Sequence, residues 1–165
     1  VLATSRLWET PCVPAGAGPD YVNAAALLDT DLSAEGLLDH LHAIEARFDR
    51  ARTGRWAART LDLDLIDHGG LIRPDTATQA LWRALPPDRQ SIDAPDGLIT
   101  PHPRLQDRAF VLVPMADVVP DWRDPVTGTP LRDLLAALPE ADRAAVKPLQ
   151  DTGAAAPKGL SSISE

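Results

Sequence analysis

The chain has 165 residues, 44% hydrophobic and 24% charged, the length and balance of one globular domain with a substantial core. Its 16 basic against 24 acidic side chains leave a formal charge of −8, which argues against a nucleic-acid surface and, more mildly, against an anionic membrane as partner. No apolar run approaches the ~18 residues of a membrane span, no signal peptide is visible, and the single Cys12 excludes an internal disulfide and a cysteine metal cluster, all compatible with a reducing cytoplasm.

Val1–Trp8 mixes β-branched and apolar residues and predicts a strand. It ends at Glu9-Thr10-Pro11, because proline lacks a donor and restricts the residue before it. Pro11–Asp20 is a loop rich in Pro and Gly. Tyr21–Leu28 predicts a second strand, partly against the propensity of its three consecutive alanines. The pair reads as a hairpin with a long loop, a length that is uncommon unless the loop covers a site. Tyr21 and Asn23 lie two apart on one strand face, and on residues alone they read as a half-buried Tyr beside a surface Asn. Ser33–Arg50 is the clearest helix. Ser33 is its predicted N-cap, and Leu37, Leu41, Ile44 and Phe48 make one apolar stripe. Glu45 lies next to that stripe and His42 is on the same helix; their types alone say only polar surface.

Asp49–Gly54 leaves the helix with Arg50 and Arg52, and Arg55 and Arg59 follow. Leu61–Ile66 then alternates, which predicts a strand with Asp62 and Asp64 on one face and Leu61, Leu63 and Leu65 on the other. Two carboxylates so placed are roughly 7 Å apart at their Cα atoms and can share a hard cation. Bare, they would repel, and a bound divalent ion removes the conflict. Arginines beside a carboxylate pair suit a ligand carrying phosphates and metal together. A solvated strand face whose aspartates pair with the arginines is the other reading, and the residues leave both open. The alternation breaks at His68-Gly69-Gly70. Leu71–Gly97 is irregular and holds four prolines, with a short helical turn predicted at Thr78–Leu85. Thr100-Pro101-His102-Pro103-Arg104 holds a histidine in a rigid, extended segment, which by itself can be a structural turn. Val111–Met115 is core, as strand or helix. Asp121–Pro130 is turn-rich, and Thr129-Pro130 starts a short helix with Thr129 as cap and Pro130 at its first position. Beyond Pro139 the pattern fades, and residues 150–165 read as a disordered tail.

Arg55-Trp56-Ala57-Ala58-Arg59-Thr60-Leu61-Asp62-Leu63-Asp64 resembles the signature of the 6-hydroxymethyl-7,8-dihydropterin pyrophosphokinase family. Its usual form is Arg-Trp-Gly-Pro-Arg-Thr-Leu-Asp-Leu-Asp, and here Ala57-Ala58 stands where Gly-Pro is commonest. Pro101-His102-Pro103-Arg104 resembles a second motif of that family. Asp49 replaces the Gly of its Gly-Arg-x-Arg loop. The resemblance runs from about Ser5 to Leu138.

The resemblance implies an α+β, ferredoxin-like fold, an antiparallel sheet with helices packed on it. It implies a pyrophosphokinase domain over residues 1–149, with 71–97 as an insertion. The implied reaction moves pyrophosphate from ATP to the hydroxymethyl group of the pterin and releases AMP, in folate biosynthesis. By the same resemblance Asp62 and Asp64 hold two Mg²⁺ ions, and Arg50 and Arg52 act on the phosphates from a closing loop. Thr10, Pro11, Tyr21, Asn23 and Phe110 contact the pterin, Tyr21 and Phe110 as a sandwich and Asn23 at the ring edge. Glu45, Arg52, Trp56, Arg59, His102 and Arg108 bind ATP. No nucleic acid or membrane is expected as a partner, and the protein is expected to be a cytoplasmic monomer. The family also has a first strand with a Gly-Ser-Asn or Gly-Ala-Asn turn and a first helix; the residues here start at what corresponds to the second strand. A catalytically weak or inactive relative that binds nucleotide or pterin, and a plain interaction domain, are the alternatives.

Overall fold

The structure is a computed structural model that describes residues 1–12, 19–49, 61–90 and 92–150. The expected arginine loop with Arg50, Arg52 and Arg59, Trp56, part of the Pro11–Asp20 loop and the tail from 151 onward lie outside the described residues.

The predicted hairpin is present, but each arm is divided. β1 (Ala3–Thr4) pairs antiparallel with β4 (Ala26–Leu27), and β2 (Trp8–Thr10) pairs antiparallel with β3 (Tyr21–Asn23). Three residues separate β1 from β2, whereas two separate β3 from β4. The first arm therefore carries one extra residue, a β-bulge. Ser5 still pairs with Ala25, its N–H donating to Ala25 O at 2.8 Å. The Arg6 N–H, outside the ladder, donates instead to Asp117 Oδ2.

α1 (Ala34–Asp49) forms as predicted, with Ser33 Oγ accepting from Gly36 N at 3.1 Å. Its stripe is covered unevenly. Leu37 is buried, Leu41 and Ile44 are half-buried, and Phe48 is 52% exposed. Among the described residues, α1 is tied to the Leu61–Ile66 stretch through Glu45, and none of its residues belongs to the main core cluster.

Leu61–Ile66 is not a strand, which corrects the expectation. Exposure does alternate, with Asp62 and Asp64 exposed and Leu61, Leu63 and Leu65 half-buried. No described strand runs beside it to form a ladder, so its backbone bonds elsewhere. Leu63 N–H donates to Glu45 Oε1 at 2.6 Å, and Ile66 O accepts from His102 N at 2.8 Å. The chain then turns at Gly69 and Gly70, both at positive φ, where a Cβ is strained.

The core forms around α4 (Ala109–Val118), the apolar run whose type the pattern left open. Leu112 and Leu105 are fully buried, with Trp8, Met115, Leu131, Leu138 and Val146 around them. α4 packs on the strands, on α5 (Leu131–Ala137) and on α6 (Glu140–Ala145). Three details differ from expectation. α5 starts one residue late: Pro130 is its extended N-cap, and Thr129 does not cap it. Thr129 is instead drawn into the preceding turn, its carbonyl accepting from Asp124 N and its hydroxyl from Thr127 Oγ1. Beyond Pro139 the chain continues as α6 and β5 (Lys147–Pro148), which adds to the outer edge of β2. Within the irregular stretch, the expected helical turn is a full helix, α2 (Thr76–Arg83), N-capped by Asp75 and followed by the single-turn α3 (Pro87–Gln90).

The class is α+β, antiparallel ladders covered by helices, with the sheet split in two. Among the described residues, no helix is long and apolar enough to cross a membrane.

Candidate active site

The fold brings together two distant stretches, residues 61–66 and residues 100–108. The Leu61–Ile66 stretch presents Asp62 and Asp64 outward. The proline-flanked segment delivers His102, anchored where its N–H meets Ile66 O. The residue before α4 is Arg108, whose Nη1 stands 3.9 Å from Asp64 Oδ2. Its guanidinium also lies 5.5 Å over the Phe110 ring, within cation–π range.

Charge is divided unevenly across this cluster. Burial pushes the His102 imidazole below its ordinary value; Asp64 opposes this, while Arg108 and Arg104 add to it. His102 is therefore neutral at pH 7. Its Nδ1 accepts from Arg104 N at 3.2 Å, which puts the ring proton on Nε2 as a donor. Burial, with Arg104 nearby, also lowers the Arg108 pKa against the pull of Asp64 and Asp62. It remains a cation at physiological pH. The result is a carboxylate pair facing guanidinium charge and a neutral N–H donor, an arrangement for an anion that brings its own cation.

A second group lies on β2, β3 and α4, which pack together. Asn23 Nδ2 donates to Thr10 Oγ1 at 2.7 Å, and Thr10 is 7% exposed. That bond leaves the Asn23 carbonyl and second N–H to offer a ligand edge. Tyr21 and Phe110 are 54% and 39% exposed. They sit on β3 and α4, which pack together. Pro11, next to Thr10 in the chain, is exposed.

Glu45 is spoken for. Its carboxylate holds the Leu63 N–H between the two aspartates, so it acts on the shape of that stretch. Sequence reasoning missed a cavity of about 220 Å³ beside Asp64 and His102. Leu38 and His42 of α1 line one side, and Trp82, Leu85 and Asp93 another. No local motif marks these last three. For Arg104, the one signal was its place beside His102.

Among the described residues, no group of three or more His, Cys, Asp or Glu side chains could hold a metal ion. Asp62 and Asp64 are a two-carboxylate donor set, which fits a Mg²⁺ whose remaining ligands are waters and substrate phosphates.

Residues 1–120 match the sequence model of the 7,8-dihydro-6-hydroxymethylpterin-pyrophosphokinase (HPPK) family. The chain is 40% identical over 131 residues to a 2-amino-4-hydroxy-6-hydroxymethyldihydropteridine pyrophosphokinase of Synechocystis sp., covering 79% of this chain and 55% of that protein. It is 40% identical over 139 residues to the enzyme of the same name from Pseudomonas aeruginosa, covering 84% of this chain and 73% of the relative. It is 33% identical over 128 residues to the folic acid synthesis protein fol1 of Pneumocystis carinii, 78% of this chain but 15% of that longer protein. The chain thus spans about half the length of the Synechocystis relative.

Proposed function

Because this chain belongs to the 7,8-dihydro-6-hydroxymethylpterin-pyrophosphokinase family, we propose that it transfers pyrophosphate from ATP to the hydroxymethyl oxygen of 6-hydroxymethyl-7,8-dihydropterin. The observation that carries the reading is the meeting of Asp64 with Arg108, and of Asp64 with His102 at one cavity, from two stretches of the chain.

In this reading the pterin lies between Tyr21 and Phe110, with Asn23 at its edge and Thr10-Pro11 beneath. Aromatic faces suit a flat heterocycle, and the Asn23 amide supplies both a donor and an acceptor. The triphosphate lies at the other group. Arg108 offers forked N–H donors to phosphate oxygens and His102 a neutral N–H. Arg50, Arg52, Arg59 and Trp56 are assigned to the same ligand by the family motif. Asp62 and Asp64 would hold Mg²⁺, which when bound neutralises charge on the phosphates. The hydroxymethyl oxygen bonds to the β-phosphorus as the bond from that phosphorus to the bridging oxygen of AMP breaks, and the hydroxyl proton passes to solvent. Within this scheme the residues position and neutralise, which carries much of the rate in phosphoryl transfers. Glu45 keeps the two aspartates in place through Leu63. A cytoplasmic location and a monomeric state belong to the same proposal.

The test is Asp64→Ala. Mg²⁺-dependent ATP binding and AMP formation both fall by about a hundredfold or more, from loss of several kcal/mol of metal-borne charge stabilisation. Unchanged binding with Mg²⁺ would remove Asp64 from the site.

A further inference from the structure

α2 supplies none of the residues assigned to the reaction, yet it is bonded to the segment that delivers His102. Gln79, in the middle of α2, is fully buried. Glutamine is seldom buried to this extent. It donates its Nε2–H to Pro101 O at 3.2 Å. That carbonyl belongs to the same peptide group as the His102 N–H, which donates to Ile66 O at 2.8 Å. In a trans peptide the C=O and the N–H point in opposite directions. Gln79 and Ile66 therefore grip one peptide plane from its two sides. One residue earlier, Thr100 exchanges backbone bonds with Arg73 at 2.8 and 3.4 Å.

Such a grip is firm only if α2 cannot drift. Arg83, one helical turn after Gln79, pairs with the fully buried Asp124 at 2.6 Å. A charge buried without its partner is costly, so this pair fixes where α2 lies. Asp124 is itself held in its turn: Oδ1 accepts from Val126 N at 2.9 Å, and its backbone N–H donates to Thr129 O at 3.0 Å. At the other end of α2, Asp75 caps the helix by accepting from Thr78 N at 2.9 Å. His102 is also held beyond its peptide plane. Its carbonyl accepts from Leu105 N at 3.1 Å, and its Nδ1 accepts from Arg104 N at 3.2 Å.

Resting on the proposed role of His102 at the triphosphate, we infer that Gln79 is a positioning residue, which through Pro101 O fixes the direction in which His102 Nε2–H meets the phosphate. A donor already in place needs no reorientation as charge develops. A displacement of about 1 Å can cost about a hundredfold in rate. Gln79 acts through His102 and not on the substrate, and α2 is the brace that keeps it there.

The experiment pairs nuclear magnetic resonance with AMP formation from ATP, Mg²⁺ and 6-hydroxymethyl-7,8-dihydropterin, in wild type, Gln79→Met, His102→Ala and the double variant. Methionine keeps the bulk of Gln79 and removes the donor. In Gln79→Met the His102 backbone amide and ring signals shift, and that amide exchanges with solvent about tenfold or more faster, while the amides of α4 keep their rates. AMP formation falls by about tenfold or more. In the His102→Ala background the same substitution has no further effect, as expected of two residues acting as one unit. Unchanged His102 signals in Gln79→Met, an equal fall in rate with and without His102, or a wild-type rate in His102→Ala would each overturn the inference and leave the pyrophosphokinase reading standing. A wild type that forms no AMP overturns that reading, and the His102 signals then decide the positioning role by themselves. Should the α4 amides quicken as much as that of His102, the fold has been loosened. Gln79→Asn, which keeps the amide but shortens its reach by one methylene, then decides by the same readouts.

Discussion

Asp117 accepts from the Arg6 backbone N–H, from the Arg6 guanidinium and from Trp8 Nε1. Arg6 also lies 4.6 Å over the Trp8 ring. The hydrogen bonds from Arg6, and then that from Trp8, hold the Asp117 carboxyl below its ordinary value. The Arg6 side chain is 64% exposed, so the ion pair itself contributes little. The buried Trp8 indole N–H matters more. Asp117→Ala orphans it and should cost about 1–3 kcal/mol, whereas Asp117→Asn keeps an acceptor and should cost less than about 1 kcal/mol. A group whose folded pKa is depressed contributes stability that is present above its unfolded pKa. It is lost as pH falls through the folded value. The melting-temperature gap between wild type and Asp117→Asn should therefore be constant near neutrality and close as pH falls from about 5 to about 3. A gap that widened on acidification would refute this. Alternation put Asp62 and Asp64 on one face, and their exposure agrees, whereas a place for His102 near them was implied only by the family resemblance. Sequence reading could not see that Glu45 would be engaged by Leu63, or that Asp117 would meet Arg6 across 111 residues.

α4 is the element on which the others pack. It is apolar nearly all round, which marks a helix buried on most faces. Leu112 on it has no exposed surface. Leu112→Ala should lower stability by about 2–5 kcal/mol in chemical denaturation, the transfer loss plus the cavity left behind. A loss below about 1 kcal/mol would mean that the core can collapse around the gap. The hairpin and α1 were legible because period-2 and period-3.6 patterns and the Ser33 cap are local. The bulge was not, since it is defined by a register between two arms. β5 was not, since Lys147–Pro148 is a strand only because β2 lies beside it. Leu61–Ile66 errs the other way. Its pattern is that of a strand, but among the described residues no ladder partner lies alongside.

Over the whole molecule, a chain of net charge −8 gathers Arg104, Arg108 and a neutral His102 around two carboxylates. An acidic protein repels free phosphate at long range, so affinity for a triphosphate has to come from these local groups and from a bound cation. The family was legible in the motif residues. The part played by Leu71–Gly97 was not, because its anchors, Gln79 to Pro101 and Arg83 to Asp124, are tertiary contacts with no sequence pattern. The decisive measurement is AMP release by this chain from ATP and Mg²⁺, with and without 6-hydroxymethyl-7,8-dihydropterin. AMP that forms only when the pterin, ATP and Mg²⁺ are all present is the predicted result. No AMP under any of these conditions, or AMP formed at the same rate without the pterin, would contradict it.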